Sequence, residues 1–511
     1  MYARETALSE STGIYQKFTK DVLTVGVAQM LLSSRGLILL PLIAGVLGAA
    51  AYGVWAQAHI TLSLVGTFAS LGMGFAFIRF FAGETDSAKI RQGFFSILFT
   101  ELVWSCLLAI VLYIIATPVA KMLFGGSESA GVVRLCAAIL PFYMMNFHFL
   151  FFFRAFREMK RFAIMQISLS LGELALVFIL VMSGQGVFGA LLGMLTAYVL
   201  FDMVMFFMVV RRVGLSFPRS SSMASIGGYL RFGLPLLPSS IVEWLVNSSD
   251  RYVIAAFLGI AVVGMYSAAY SLAVAISVYA SPIAMVIVPT LAYLYDKGQI
   301  EEVKKHLTYA LKYLLLLAIP SAVGISLLAR PILQVLVDTE FASVGPKVIP
   351  FVAAATVLHS CQAVIAQPIF LAKKTHIIGI AWGTAAALNL GLNLLLVPRF
   401  GIIAAAYTTL IAFAAGTAWI SYYSLKYLRF RIEWGFIGKS ILASAVMSGV
   451  ILLYYPDDGI GLLIAIPVGA VVYFLMIFLL GGIRRQETAF FLRFAASIMP
   501  FRKARQPGVP T

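Results

Sequence analysis

Polar side chains interrupt the long apolar stretches of this sequence at positions where a charge needs a partner or water. A charged side chain at the centre of a bilayer costs at least ~2.5–3.5 kcal/mol, so such residues mark polar paths or paired sites. Their presence predicts binding or ion coupling along a polar path through an apolar protein. The candidate binding or coupling residues are Arg35, Glu101, Glu173, Glu243, Asn247, Asp250 and Arg251.

Three of these candidates share one face of a helix. Glu243, Asn247 and Arg251 follow each other at intervals of four residues, which stacks them along that face. At a rise of about 1.5 Å per residue, Glu243 is central in its apolar stretch and Asp250 is near one end. We expect this face to line a cleft. Asp250 and Arg251 also allow a second interpretation, an interfacial pair that is solvated and stabilises the helix end.

Other polar residues within the apolar stretches are open to structural roles. Asp202 allows either a binding or a packing role. Histidines in such positions are expected to be packed and neutral, and two asparagines four residues apart to form hydrogen bonds across helices. These residues are His59, His148, His359, Asn389 and Asn393.

No arrangement of residues typical of an enzyme or a metal site occurs in the sequence. It contains no GxxxxGK[ST] loop, no HExxH pair and no nucleophile elbow with a suitable histidine and acid. Cys106, Cys136 and Cys361 lie within apolar stretches, which excludes a disulfide framework and a zinc site. The sequence therefore predicts a protein that is not an enzyme and uses no cofactor. Any work it performs would draw on an ion, voltage or substrate gradient.

The composition places these residues in a membrane protein. Of the 511 residues, 61% are apolar and 11% are charged, whereas soluble domains have about 45–50% and about 25%. Stretches of about 20 apolar residues are long enough to cross a bilayer. They predict an all-α polytopic protein with about 14 transmembrane helices, at residues 22–47, 52–78, 93–116, 132–153, 162–182, 187–210, 232–257, 262–294, 309–335, 348–371, 377–397, 401–425, 438–454 and 459–480.

Most of the 37 lysines and arginines fall on one side of these predicted helices. Cytoplasmic loops retain positive charge, so this pattern favours cytoplasmic N- and C-termini in the plasma (inner) membrane of a prokaryote. The net charge of +16 then reflects topology, and no nucleic-acid partner is expected. The predicted units are a cytoplasmic N-terminus (1–21), two six-helix lobes (22–215 and 229–425), an extra helix pair (438–482) and a basic cytoplasmic tail (483–511).

Two segments repeat each other at an offset of 211 residues. GAAAYGVWAQA, starting at Gly48, aligns without gaps with GIAVVGMYSAA, starting at Gly259, and Gly53 then matches Gly264. Six helices separate the copies, so both enter the membrane in the same direction, as in a parallel repeat. This predicts two similar lobes that face each other across a cleft and rock about a site near the middle of the membrane.

Prolines occur in several of the predicted transmembrane helices, most densely in GLPLLPSS at residues 233–240. Each proline removes a backbone hydrogen bond and favours a kink. The kink at this stretch serves either packing or a hinge.

Two long segments resemble a known family. RFGLPLLPSSIVEWLVNSSDRYVIAAFLGIAVVGMYSAAYSLA, from Arg231 to Ala273, is similar to the seventh and eighth helices of O-antigen and exopolysaccharide flippases. AKKTHIIGIAWGTAAALNLGLNLLLVPRFGIIAAAYTTLIAF, from Ala372 to Phe413, resembles a later region of the same proteins. They belong to the multidrug, oligosaccharidyl-lipid and polysaccharide exporter superfamily.

The resemblance implies a flippase for surface polysaccharide biosynthesis. Such a protein moves a polyprenyl-diphosphate-linked oligosaccharide across the membrane by alternating access. Arg35 and Arg251 would contact the diphosphate, because arginine offers paired donors to phosphate oxygens. Glu243, Glu101 or Glu173 would balance charge or couple H⁺ or Na⁺. Buried acids outnumber buried cations here, which departs from a strongly cationic cavity. A polysaccharide polymerase and glycosyltransferases are the expected protein partners.

Two other functions fit the same sequence features. One is a cation-coupled exporter of drugs or other small molecules. The other is a membrane scaffold that assembles a glycan-synthesising complex and transports nothing.

Overall fold

The structure is a computed structural model that describes residues 2–216, 225–456 and 458–483, without the side chains before Arg35 or that of Leu37. Every regular element in these ranges is helical. The helices before the first undescribed segment are α1 (Tyr2–Ala69), α2 (Met73–Phe81), α3 (Ser87–Ile114), α4 (Ala116–Leu123), α5 (Ala130–Ala155), α6 (Met159–Leu180) and α7 (Gly186–Val213).

The second half begins after that segment. Its helices are α8 (Ile226–Gly233), α9 (Leu237–Leu258), α10 (Ile260–Val274), α11 (Ala280–Asp296), α12 (Ile300–Leu327), α13 (Ala329–Leu336), α14 (Thr339–Ile365), α15 (Gln367–Leu371), α16 (His376–Phe400) and α17 (Ile402–Tyr427). A final pair follows, α18 (Trp434–Leu453) and α19 (Gly459–Leu479).

Eleven stretches of the described residues are long and apolar enough to cross a membrane, so this is a multi-pass membrane protein. One of them, Met159–Val213, contains both α6 and α7, joined by a wider helical turn at Val181–Gln185. Helix α9 is not among the eleven. The all-α polytopic fold is confirmed, whereas the number fourteen is not.

The prediction of one continuous transmembrane helix at residues 52–78 is wrong. Helix α1 ends at Ala69 and α2 starts at Met73, because Leu71 (φ 48°) and Gly72 (φ 68°) adopt left-handed backbone conformations. Within α1 the chain also bends at Gly48 (φ 83°), one residue after the predicted end of the first helix at Leu47. Glycine tolerates this conformation because it lacks a Cβ atom.

The predicted eighth helix, residues 262–294, is also interrupted. Helix α10 ends at Val274, and a 3₁₀ segment, Ala275–Tyr279, connects it to α11. The tighter 3₁₀ geometry changes which side chains share a face, and short 3₁₀ stretches inside long helices often mark functional positions. No proline or glycine lies in AISVY itself, but Pro282 follows it and cannot donate to the carbonyl of Val278, so the proline pattern was a sign of a break here.

The two lobes meet where the repeated segments cross. Helices α1 and α10 approach so closely that a Cβ atom on Gly53 would collide with the carbonyl oxygen of Ile260. A Cβ atom on Gly264 would collide with the carbonyl oxygen of Ala49. Ala49 matches Ile260 and Gly53 matches Gly264 in the repeat, so the two contacts are reciprocal, as in an isologous interface. This crossing lies at the end of the bundle that the sequence predicts to face outwards.

A second contact joins the lobes beyond the C-terminal end of α1, away from the crossing at Gly53. Helix α8 precedes the proline-rich stretch, yet its Ile226 is buried in a cluster with Phe77 and Phe94 of the first half. The ring of Tyr229 also lies 5.2 Å from that of Phe80. Helix α9, by contrast, packs against α16. The chain thus passes from one lobe to the other at the 3₁₀ segment Leu234–Leu236. The interpretation of this stretch as a hinge stays a prediction.

Candidate binding cavity between the lobes

A cavity of about 560 Å³, the central cavity, lies between α1, α9, α10 and the 3₁₀ segment Ala275–Tyr279. Each half of the chain contributes an arginine and one or more aromatic side chains to it, and the second half also contributes the small polar ones. Its lining residues are Arg35, Gly36, Leu39, Tyr52, Trp55, Ala56, His59, Ile60, Asn247, Ser248, Arg251, Ser267, Tyr270, Ser271, Val274, Ala275 and Ser277.

Arg35 enters the central cavity from α1 and forms an ion pair with Glu173 of α6. The Glu173 side chain is fully buried, whereas 24% of the Arg35 side chain is exposed. Glu173 therefore lies behind the arginine and does not line the cavity. A buried carboxylate needs such a cation, because removing one partner of a buried pair costs about 3–5 kcal/mol.

Arg251 is held from several directions at the opposite wall. Its Nη1 donates to the carbonyl oxygen of Asn247 at 2.7 Å and lies 3.1 Å from Oδ1 of Asp250. Its Cζ sits 3.9 Å from the ring centre of Tyr270, a cation–π distance. Tyr266 Oη donates to Oδ2 of Asp250 at 2.7 Å. Asp250 and Arg251 are both buried, so the interpretation of a solvated interfacial pair is wrong.

The charge that faces the central cavity is positive. Arg35 and Arg251 line it, and none of the described residues in its lining is an aspartate or glutamate. Glu173 and Asp250 hold the two arginines in place. These two acids balance the charge of the arginines from behind the cavity surface, so arginine donors face the cavity although the buried acids are numerous.

The remaining sequence candidates lie elsewhere. Glu243 is on the predicted face one turn from Asn247, but it is exposed and outside the lining of the central cavity. Glu101 is buried in the first lobe, where its Oε2 lies 2.8 Å from Nδ1 of His148. Asp202 accepts a hydrogen bond from Asn146 Nδ2 at 3.0 Å. The structure thus brings Arg35, Asn247 and Arg251 together, with Glu173 and Asp250 behind the two arginines. It separates Glu101, Asp202 and Glu243 from them.

Several interactions could not be found from sequence patterns. His148 was expected to be packed and neutral, and its contact with Glu101 joins residues far apart in the chain. Lys312, which lies within the predicted helix at residues 309–335, is buried in α12, with Nζ 3.4 Å from Oε2 of Glu433. The sequence feature that could have indicated its burial is its position inside α12, well beyond the first turn of that helix.

The asparagine pair forms the expected hydrogen bonds across helices. Asn393 Nδ2 donates to Oδ1 of Asn389 at 3.0 Å, and Thr408 Oγ1 of α17 donates to Oδ1 of Asn393 at 2.7 Å. Ser249 of α9 reaches Asn389 at 3.5 Å. This network connects α9 to α16 and α17, which agrees with α9 belonging to the second lobe.

An apolar groove of about 400 Å³ adjoins the central cavity at Ala275, which lines both. Helices α12, α18 and α19 form most of its wall. Tyr279 and Ser321 are polar, but their hydroxyl oxygens lie 3.1 Å apart and bond to each other. Its lining residues are Ala275, Ile276, Tyr279, Leu317, Pro320, Ser321, Gly324, Ile325, Leu328, Ile332, Met447, Ile451, Ile466, Gly469, Ala470, Tyr473 and Phe474.

Replacing Asp250 by asparagine is expected to destabilise the protein, because it leaves the Arg251 guanidinium buried without its carboxylate. Breaking a buried ion pair costs about 3–5 kcal/mol. The unfolding midpoint of the purified protein in detergent, followed by fluorescence, should fall by several degrees. Glu243→Gln is the matched control on the same helix: an exposed substitution changes stability by about 0.5 kcal/mol or less. Equal effects of the two substitutions would contradict the buried pair.

The helices, the cavity and the crossing of α1 with α10 define a two-lobed membrane protein of the transporter fold that the superfamily shares. The structure of "Lipid II flippase MurJ, inward closed conformation" matches it with a TM-score of 0.76 at 17% identity, over 93% of this chain and all of that one. An inward-facing multidrug resistance MATE family transporter matches with a TM-score of 0.62 at 15% identity, over 78% and 94%.

The chain belongs to the polysaccharide biosynthesis protein family, whose sequence profile matches residues 18–294. It is 25% identical over 279 residues to the probable low-salt glycan biosynthesis flippase Agl15 of Haloferax volcanii, covering 54% of this chain and 55% of that protein. It is 29% identical over 256 residues to the probable flippase AglR of the same organism, covering 48% and 50%. The matches thus span about half the length of these curated relatives.

These relatives agree with two predictions made from the sequence. The resemblance to the polysaccharide flippase branch of the superfamily is confirmed. The named relatives are flippases and transporters, which are not catalytic enzymes.

Proposed function

We propose that this protein is a flippase that moves a lipid-linked oligosaccharide with a diphosphate head group across the membrane by alternating access. The observation that carries the proposal is the junction at Ala275 of the cationic central cavity and the apolar groove. A lipid-linked oligosaccharide has an anionic diphosphate attached directly to a long hydrocarbon chain, and this junction offers one site for each part.

The central cavity supplies the donors for the diphosphate. Arg35 and Arg251 approach it from the two lobes, and arginine matches phosphate oxygens with paired hydrogen bonds. Because Glu173 and Asp250 fix the two side chains, little side-chain entropy would be lost on binding. Asn247 lines the same wall and can donate from its amide.

The apolar groove supplies a surface for the hydrocarbon chain. Its described lining contains no ionic side chain, and α18 and α19, the helix pair beyond the repeat, form one side of it. A polyprenyl chain in this groove stays in apolar surroundings, as it does among lipid tails, so its hydrocarbon need not enter water while the head group occupies the central cavity. We infer that the extra helix pair serves to hold the lipid tail while the two lobes move.

The reciprocal contact of Gly53 and Gly264 supports alternating access. In this proposal the close contact of the two helices closes the central cavity at the predicted outer end. Transport would require α1 and α10 to separate there while α2 and α8, joined at the other end, act with the segment Leu234–Leu236 as the pivot. In this proposal the lobes comprise residues 22–215 and about 229–425, as the repeat predicts.

Energy and partners complete the proposal. H⁺ or Na⁺ would drive the cycle, with the buried contact of Glu101 and His148 as one place for a proton. The protein would act in the plasma membrane of a prokaryote with cytoplasmic termini. It would work between glycosyltransferases that build the glycan and a polymerase that extends it.

The test is a flipping assay in proteoliposomes. We expect the purified protein to move a fluorescent polyisoprenyl-diphosphate N-acetylglucosamine between leaflets, measured as the fraction of label accessible to an impermeant quencher. A cation-coupled drug exporter would instead move cationic dyes, although the described lining of the central cavity contains two arginines and no carboxylate to attract them. A scaffold would move neither substrate, and that result would overturn the proposed function.

A further inference from the structure

A third cavity adjoins the central cavity at Ser277 and lies largely among residues of the second lobe. It measures about 400 Å³. We call it the neutral cavity, because none of its described lining residues is Lys, Arg, Asp or Glu. Its lining residues are Ser277, Ala280, Ser281, Ala284, His359, Ser360, Gln362, Ala363, Ala366, Phe370, Ile378, Trp382 and Ile420.

Buried polar atoms in the wall of this cavity lack partners. Oγ of Ser360, Oε1 of Gln362 and Nδ1 of His359 have no hydrogen-bond partner among the described residues. Ser360 and Gln362 are 1% and 6% exposed. An unsatisfied buried polar group costs about 1–3 kcal/mol, so three around one cavity require an explanation. Each of the three atoms is less than 1 Å² accessible, so a ligand with several hydroxyl groups would satisfy them once small side-chain rotations bring them to the cavity surface.

Contacts orient two of these groups, the Gln362 amide and the His359 ring. Nε2 of Gln362 donates to Oγ1 of Thr417 at 2.9 Å, which directs the opposite amide oxygen away from α17. The ring of His359 packs edge-on against Trp382 at 5.3 Å and near Phe413 at 5.0 Å. Pre-positioned polar groups beside an aromatic surface are typical of small-molecule sites, and the volume falls in the usual range of about 300–1,000 Å³.

The repeat shows that this arrangement belongs to the second lobe alone. His359 occupies the position of His148, but His148 is blocked by Glu101 at 2.8 Å. The counterpart of Glu101 is Lys312, which lies near Glu433 instead. His359 is therefore left with its Nδ1 unpartnered beside a cavity, whereas the equivalent histidine is buried in a contact with an acid.

We propose that the neutral cavity binds the sugar units of the lipid-linked oligosaccharide that lie beyond the first sugar. This inference rests on the proposed function. A pyranose ring has an apolar face of C–H groups for Trp382 and a rim of hydroxyls for Ser360, Gln362 and His359. The three cavities then match the substrate part by part: the apolar groove takes the hydrocarbon, the central cavity the diphosphate and the neutral cavity the outer sugars. All three meet along the 3₁₀ segment Ala275–Tyr279.

The experiment compares two fluorescent lipids in the same proteoliposomes. Both are polyisoprenyl diphosphates: one bears a single N-acetylglucosamine, and the other bears a linear trisaccharide of N-acetylglucosamine. Gln362→Met and Trp382→Leu should each lower flipping of the trisaccharide lipid about tenfold and leave the single-sugar lipid within about twofold of wild type. Gln367→Met is the matched control, since Gln367 is also a buried glutamine but lies outside the lining of the neutral cavity.

The outcomes separate this inference from the proposed function. Equal losses for both lipids, or no loss for either, would overturn the sugar subsite and leave the proposed flippase function unaffected. If the wild-type protein flips neither lipid, the proposed function fails. Binding of the same two lipids to the purified protein in detergent then decides the subsite alone: tighter binding of the trisaccharide lipid, lost in Gln362→Met and kept in Gln367→Met, supports it, and equal binding overturns it.

Discussion

Substituting alanine for Gly53 or Gly264 is expected to reduce transport about tenfold or more and to leave the central cavity open at the predicted outer end. The new Cβ atom would occupy the place of a backbone carbonyl oxygen on the facing helix, and backbone cannot move aside as a flexible side chain can. Small residues allow membrane helices to approach closely. Overpacking of this kind costs about 1–3 kcal/mol, which corresponds to a factor of about 5–150 in the closed state.

Two measurements check this result. Flipping in proteoliposomes gives the rate, and a cysteine at Ser271 in the central cavity, with the three native cysteines replaced, reports access by an impermeant maleimide from outside. Labelling should increase in both alanine variants. Gly391→Ala is the matched control, because a Cβ atom there would have nothing within 4 Å. Gly53→Ala or Gly264→Ala proteins that label and transport like the Gly391→Ala protein would show that the crossing does not close the cavity.

The sequence predicted that Gly53 and Gly264 are equivalent, but not that they touch. A repeat at a constant offset identifies similar helices and fixes their relative direction. The distance between the two helix axes depends on packing throughout both lobes. Only the structure shows that the equivalent glycines lie on the line where the lobes meet, with Ala49 and Ile260 opposite them in reciprocal contacts.

The helix breaks show a similar limit. The bend at Gly48 and the 3₁₀ segment Leu234–Leu236 coincide with glycine and proline, which are strong local signals. The break at Ala275–Tyr279 lies in AISVY, whose residues are compatible with a continuous helix. Pro282, just beyond this segment, predicts a disturbed helix, but it does not predict the length of the 3₁₀ segment or that three cavities meet along it.

For the site, the sequence located charges but could not pair them. Arg35 and Glu173 were each identified as ions too deep in the membrane to be unpaired. Their contact spans two helices that hydropathy alone cannot place side by side. Glu243 has the same deep position in its helix, yet it is exposed, because a position along a helix fixes depth and not the surroundings. The cationic surface of the central cavity therefore appears only when the acids are located behind the arginines.

Arg35→Gln is expected to abolish most transport, by about 10–100-fold, and also to destabilise the protein. The substitution removes one of the two cations that line the central cavity and leaves the fully buried Glu173 without its partner. Hydrogen bonds to a charged group contribute about 1.5–3 kcal/mol, and each 1.4 kcal/mol is tenfold. Arg399→Gln, an exposed arginine at the end of α16, is the control that should alter neither property.

A double substitution separates the two roles of Arg35. In Arg35→Gln/Glu173→Gln no buried carboxylate is left unpaired, and two amides of similar size can bond to each other, so the unfolding midpoint should recover most of the loss. Flipping of the polyisoprenyl-diphosphate lipid should stay as low as in Arg35→Gln, because the donor to the diphosphate is still missing. Recovery of both stability and flipping in the double variant would mean that Arg35 only neutralises Glu173, and the head group would then need another cation.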